Sequence, residues 1–342
     1  MRSAGSAPEP GVSAGNAKEH AMSNIRVGVV GVGHLGYHHA RVYAGLDGVE
    51  LAGVVDTDQE RARRAAQDFC GGRTFSGIRE LIQAGIQAAS VAAPTTAHHD
   101  LAIELIEGGA DVLVEKPIAT DIAEAEDMVR AAAERDRVLQ VGHIERFNGA
   151  VIALMETVKR PRFIECHRLS PYPMRGDDVS VVLDLMIHDI EVVQALDRSE
   201  VTAVDAIGVP VFSQSEDIAN ARLRFRSGCT ANITASRVSM DRMRKIRIFE
   251  SDAYMSTDYS EQEVRVYRKK PGPLPAGASP MESIVIETLP VHREEPLKLE
   301  LASFIECVRN RKRPVVSGEN ALAALRLAAR VMDSIRKNSA AS

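Results

Sequence analysis

Arg26-Val-Gly-Val-Val-Gly31-Val-Gly33-His-Leu-Gly36 is a short apolar run that breaks into three glycines spaced G-x-G-x-x-G. A helical pattern follows, and Val54-Val-Asp56 ends twenty residues beyond Gly36. Each glycine answers a separate steric demand. Gly31 permits the tight turn, Gly33 lets backbone approach a pyrophosphate, and Gly36 lets helix and strand pack closely. Free amides and the positive dipole end at the start of such a helix attract phosphate. The turn therefore predicts a dinucleotide site, with His34 and Leu35 in the helix's first turn counted among its cofactor contacts. Asp56, at the end of the second strand, is placed to accept both ribose hydroxyls and repel a 2′-phosphate, which predicts NAD over NADP. Arg61, Arg63 and Arg64 lie just beyond, within reach of a 2′-phosphate, although a solvated helix face is the simpler reading.

Outward from this turn, short apolar runs alternate with amphipathic helical segments as far as Gly142. Strands are expected at 25–30, 50–55, 88–93, 111–115 and 138–142, and helices near 34–45, 58–69, 77–84, 97–108 and 121–135. That alternation predicts a parallel sheet covered on both faces, with ligands at the carboxyl ends of its strands. Ala93-Pro94-Thr95, Glu115-Lys116-Pro117 and Gly142-His143 follow strands and carry the most weight. Past residue 147 the pattern changes. A helix (147–158), a strand (162–170), a polar loop and a helix (181–196) lead into long alternating runs at 201–212, 217–226, 229–238, 243–250 and 262–268, with another near 283–288. They predict an antiparallel sheet with one apolar face, turning at Ser227-Gly228. The Pro- and Gly-rich stretch 269–281 predicts a mobile loop, and helices at 296–310 and 318–337 close the chain. The fold class is thus α/β: a Rossmann parallel-sheet domain over 25–147, then a second α/β domain over 148–342 with a large open antiparallel sheet.

With 342 residues, 45% of them hydrophobic, the chain can bury two cores of ordinary size. A formal charge of −5 argues against nucleic acid or an anionic membrane as partner, and no apolar run approaches a membrane-spanning length. Cys70, Cys166, Cys229 and Cys307 are scattered, which predicts reduced thiols and neither a zinc site nor a disulfide framework. Residues 1–24, rich in Gly, Ala, Ser and Pro and without an apolar h-region, are expected to be a disordered tail and not a secretory signal, with Met22 as an alternative start. The expected compartment is the cytoplasm.

Three groups of side chains carry candidate chemistry. Lys116, at the end of the strand expected at 111–115, would lie beside a nicotinamide, where partial burial lets it share a proton. The alternative is a strand-end lysine reaching water; its position and the stiffening Pro117 favour function. Asp184 and His188 are spaced i,i+4, which on a helix places them on one face. His188 would be a general base and Asp184 its orienting partner or a substrate clamp, against a plain Asp–His pair on a helix surface. The third group is the loop from Arg168 through Tyr172 to Arg175, which either clamps a substrate phosphate or carboxylate or is a solvated connection. His98, His99 and His143 fall on different elements, so no metal site is expected.

With these residues in view, the chain resembles the glucose–fructose oxidoreductase / inositol dehydrogenase / MocA (Gfo/Idh/MocA) family from about residue 24 to 337. Its motifs appear as Gly31, Gly33 and Gly36; as Ala93-Pro94-Thr95 with His98, Ala93 standing where Thr is usual; and as Glu115-Lys116-Pro117. They continue as Gly142-His143 with Arg146-Phe147, as Asp184 with His188, and as Pro296-Leu297 with Glu300 and Phe304. Met186 replaces a glycine common within the Asp–His segment. The resemblance implies hydride transfer between nicotinamide and a sugar or cyclitol carbon bearing a hydroxyl. It assigns Lys116 and His188 to proton transfer and Asp184 to positioning, and sets Ala93, Pro94, Thr95, His98 and Glu115 beside the cofactor. His143, Arg146, Arg168, Tyr172 and Arg175 join the substrate contacts. It also implies that the open sheet packs between subunits of a homodimer or homotetramer. The segments 143–148 and 168–189 look most like members that oxidise the 3-hydroxyl of UDP-N-acetylglucosamine for later amination in lipid A synthesis. An inositol or free-sugar dehydrogenase is the alternative, and a non-catalytic NAD-sensing protein is a further one.

Overall fold

A computed structural model describes residues 24–172, 179–270, 272 and 279–340. Almost all of the expected tail, Arg175, and most of the loop expected at 269–281 lie outside the described residues. The first half alternates as anticipated, with one short strand (β3) that was not expected: β1 (Ile25–Val30), α1 (His34–Ala44), β2 (Val49–Val55), α2 (Gln59–Phe69), β3 (Thr74–Phe75), α3 (Ile78–Gln83), β4 (Ala88–Val91), α4 (His98–Glu107), β5 (Asp111–Glu115), α5 (Ile122–Glu134) and β6 (Leu139–Gly142). These strands form a parallel sheet in the order β3-β2-β1-β4-β5-β6. β4 and β5 are buried along their whole length, as apolar strands between two helical layers must be.

The second half runs α6 (Gly149–Thr157), β7 (Phe163–Leu169), α7 (Ile187–Asp197), β8 (Val201–Val209), β9 (Ile218–Phe225), β10 (Thr230–Ser236), β11 (Met243–Phe249), β12 (Ala253–Asp258), β13 (Glu263–Lys269), β14 (Ile284–Thr288), α8 (Pro296–Asn310) and α9 (Gly318–Ala340). Its eight-stranded sheet has the order β14-β13-β12-β11-β7-β10-β9-β8. Ile164, Cys166, Ile233, Ile246 and Met255 on the inner face pack with Met186, Ile190, Val193, Leu327 and Val331. Two details depart from expectation. β7 and β10 pair in parallel, inside an otherwise antiparallel sheet. β12 was not anticipated, because Tyr254, Ser256 and Asp258 give its outer face a loop-like composition although burial alternates along it. On the outer face Phe163, Phe249, Tyr254 and Tyr267 form a ladder of rings with centroids 4.7–5.8 Å apart.

The last two helices also reach the first domain, α9 while still packed on the second sheet. Leu297, Leu301, Phe304 and Ile305 of α8 pack with Tyr43 and Val29 in the first domain's core, and Leu322 and Leu325 of α9 pack with Met128 and Val141. α8 also carries Glu300 inside, fully buried, with neither carboxylate oxygen hydrogen-bonded among the described residues. Burial pushes this carboxyl well above the usual range, and the nearby Glu115 adds to the shift. A protonated folded form and an ionised unfolded form mean that stability falls as pH rises from about 4.3 toward the raised folded value. Glu300→Gln keeps the shape and removes the titration. Its Tm should exceed the parent's at pH 8 and converge with it near pH 4, and a gap independent of pH would refute a neutral Glu300.

Candidate active site

The first glycine turn has the shape its spacing requires. Gly31 sits at φ 82°, and a methyl group there would lie 2.8 Å from the Ala93 nitrogen. One on Gly36 would lie 1.8 Å from the Gly31 oxygen. Around Gly33, by contrast, nothing lies within 4 Å of where a Cβ would be, so the turn faces open space at the start of α1, a cradle that fits a pyrophosphate. His34 and Leu35 are exposed on this first turn. Asp56 lies below, 8% exposed. Its Oδ2 accepts the Val32 N–H at 2.7 Å, and its Oδ1 accepts the Asp58 N–H at 2.8 Å and Arg61 Nη2 at 3.0 Å. A carboxylate offers about four lone-pair sites, so one remains. The expectation that Asp56 accepts both ribose hydroxyls is corrected: with Arg61 in place it has room for one.

Across the sheet, Ala93, Pro94 and Thr95 follow β4, and Lys116-Pro117 follows β5. His98 ties the two turns together, Nδ1 lying 2.9 Å from the Pro117 oxygen and Nε2 2.9 Å from the Ala93 oxygen. With 1% exposure it braces the turns and presents nothing to a cofactor. Glu115 also points inward. Oε1 lies 3.0 Å from His39 Nε2, and Oε2 accepts the Lys116 N–H at 3.2 Å. A Cβ on Gly142 would come within 2.8 Å of that carboxylate, which accounts for glycine there. The cofactor contacts expected of His98 and Glu115 are thus replaced by support of the strand-end turns.

Lys116 crosses to the second domain. Its Nζ donates to the Asp184 backbone oxygen at 2.9 Å and lies 3.3 Å from Asp184 Oδ1. An ammonium has three N–H donors, so one is left for a ligand. Asp184 lies in a wide π-type turn, Val182–Met186, that precedes α7. This turn, where a continuous α-helix was expected, alters the i,i+4 relation to His188, and no hydrogen bond joins Asp184 to His188 among the described residues. Such turns recur at functional sites. His188 is half-buried; its Nδ1 is sealed without a partner, and Nε2 is the ring nitrogen not sealed in this way. Burial, then the Lys116 charge, holds its imidazole well below the ordinary range, so it is neutral at pH 7 and able to accept a proton.

His143 stands behind it, ring edge to ring face at 6.1 Å. It is 1% exposed with both nitrogens sealed, and burial with the Lys116 charge brings it down to about 3. It forms a neutral wall, and the substrate contact expected of it is not available. Arg168 requires the same correction. Arg168 is the penultimate residue of β7 and not part of the loop. Its Nε and Nη2 donate to the two Asp189 oxygens at 2.9 and 3.0 Å, and Nη1 to Glu145 at 2.8 Å. At 3% exposure its two remaining N–H groups are shut away from a substrate. Arg146 donates to buried Glu191 at 2.6 Å, and burial pushes that carboxyl up to about 7. Tyr172 remains at the rim, its ring edge-on to Phe212 at 5.4 Å, and Phe212 is 71% exposed.

Residues the sequence reading missed build the frame around these. Asp217 accepts three successive N–H groups from Val211 to Ser213 and pairs with buried Arg237 at 2.8 Å, fixing the loop that carries Phe212. The Glu216 oxygen accepts the Val181 N–H at 3.0 Å, joining that loop to the segment before Asp184. Arg237 and Asp217 face each other across the open end of the β9–β10 hairpin, a pairing that the expected turn at Ser227-Gly228 already implied.

A parallel-sheet dinucleotide domain whose strand-end lysine meets a second domain's Asp and His defines a nucleotide-dependent oxidoreductase. Residues 25–143 match the model for the oxidoreductase family with an NAD-binding Rossmann fold, and 158–256 match the GFO/IDH/MocA C-terminal domain. The chain belongs to the Gfo/Idh/MocA family and is an NAD-dependent oxidoreductase acting on CH–OH groups. It is 35% identical to UDP-N-acetylglucosamine 3-dehydrogenase from Acidithiobacillus ferrooxidans over 309 residues, covering 89% of this chain and 96% of that one. A solved structure of that enzyme superposes with a TM-score of 0.84 at 31% identity, over 92% and 98% of the two chains. It is also 26% identical to scyllo-inositol 2-dehydrogenase (NAD(+)) from Bacillus subtilis over 91% of this chain and 94% of the relative.

Proposed function

We propose that the chain oxidises the 3-hydroxyl of a UDP-N-acetylhexosamine, and that Lys116, Asp184 and His188 do the chemistry. The convergence of Lys116 on Asp184 at the mouth of the dinucleotide cleft, with neutral His188 in the same segment, carries the reading. When bound, NAD⁺ accepts the hydride from the carbinol carbon. His188 Nε2 takes the hydroxyl proton, and the third N–H of Lys116 stabilises the alkoxide that develops. Asp184 holds the ammonium in place through two contacts. The Tyr172–Phe212 rim offers aromatic surface to a nucleobase, and the 35% identity to the UDP-sugar enzyme supports the same choice. The outer sheet face, with its ring ladder, would pack against a second copy of the chain. The product ketone suits later amination, as in diamino-sugar lipid A synthesis, in the cytoplasm.

One observation favours the second reading, an inositol or free-sugar dehydrogenase: Arg168 is consumed inside the protein and cannot clamp a diphosphate. NADH formation across UDP-N-acetylglucosamine, UDP-N-acetylgalactosamine, inositols and free hexoses decides between them. The UDP-N-acetylhexosamines should give the highest kcat/KM by at least about tenfold. A preference for an inositol or a hexose would reject the nucleotide-sugar assignment.

A further inference from the structure

The cavity beside the glycine turn holds about 280 Å³ and is lined by the Val32–His34 turn, Tyr37, His38, Arg61 and Arg64. No carboxylate is among its lining residues, although Asp56 lies directly beneath. Both guanidinium groups are held at its edge. Arg61 is fastened to Asp56 at 3.0 Å and to Asp58 at 3.4 Å, and Arg64 lies over the Tyr37 ring, 5.7 Å from its centroid.

An acid at the end of the second strand of a dinucleotide fold marks where the adenosine ribose hydroxyls sit. Here that acid has one lone pair left, and an arginine covers the rest. Arg61 thus offsets the charge that would repel a 2′-phosphate and puts planar donors at the place such a phosphate would occupy. Arg64 adds a second cation on the same wall.

We infer that the adenosine pocket accepts a 2′-phosphate as well as a 2′-hydroxyl, so that the chain binds NADP(H) alongside NAD(H), with Arg61 and Arg64 setting the preference. The inference rests on the dinucleotide reading of the site and is independent of the sugar substrate. Its rival is that both arginines serve the pyrophosphate, which the two cofactors share.

Titration of the full chain with NADH and with NADPH, followed by nicotinamide fluorescence, separates these. The parent should bind NADPH within about tenfold of NADH. In Arg61→Ala and Arg64→Ala the NADPH Kd should rise by about tenfold or more, the loss expected for a charge-assisted contact. The NADH Kd should rise less than about threefold, and in Arg61→Ala it should fall if the freed Asp56 takes both hydroxyls. Arg61→Lys, which keeps the charge without the fork, should lie between. Arg61 is half-exposed at the start of α2, so its removal leaves the core intact, and an unchanged Tm checks this. A parent Kd for NADPH more than about a hundredfold above that for NADH would overturn the inference, as would equal losses of both cofactors in the variants. Failure of the parent to bind either would overturn the dinucleotide site itself, and this inference with it.

Discussion

Lys116→Met is expected to lower kcat by roughly 10²- to 10⁴-fold, the range measured when a donor to a developing oxyanion or a proton-transfer group is removed. The side chain is partly buried, and its Nζ makes two contacts, both to Asp184. Methionine of similar length leaves the strand-end turn supported by Glu115 and His98. NADH affinity, measured by fluorescence, should therefore change little while turnover collapses. His188→Asn should do the same through loss of the base. If either variant turned over at the parental rate, that residue would have no part in the chemistry. If NADH binding fell as far as turnover, the lysine would be a cofactor anchor and not a participant.

Arg168→Ala is expected to have the largest effect on stability. One guanidinium makes three hydrogen bonds to Asp189 and Glu145 inside the protein. Removing it leaves buried Asp189 without its hydrogen-bonded counter-ion and Glu145 with only Arg244 at 3.9 Å, and breaking a buried pair typically costs about 3–5 kcal/mol. Asp189 already sits above the ordinary carboxylate range because burial outweighs its arginine. Urea unfolding monitored by circular dichroism should show the loss, with a Tm several degrees lower. A change under about 1 kcal/mol would place the triad among ion pairs of little net worth.

Legibility in the sequence followed the range of the forces involved. The glycine turn could be read because its demands are local: a left-handed Gly31 and a contact between Gly36 and Gly31 are settled within six residues. The alternating strands and helices were likewise visible as runs of one period. Arg168 was misread because its partners lie 21 and 23 residues away, on elements the sequence does not bring together. Asp184 and His188 were placed on one helical face because i,i+4 spacing implies an α-helix, whereas the backbone widens there. The inward turn of Glu115 depends on His39, 76 residues distant. Arg61 was visible, but its contact with Asp56 was needed to decide between solvent and ligand.

The return of α8 to the first core bears on how this protein can be recombined. Its apolar side chains fill a layer that α1 and α2 leave open, although more than 150 residues separate α8 from the end of β6. The two halves are therefore not interchangeable cassettes. A chimera joined near residue 147, with a relative's nucleotide half, would set a foreign α1 against the native Leu301 and Phe304. The graft should be designed as a discontinuous unit that carries its own C-terminal helix.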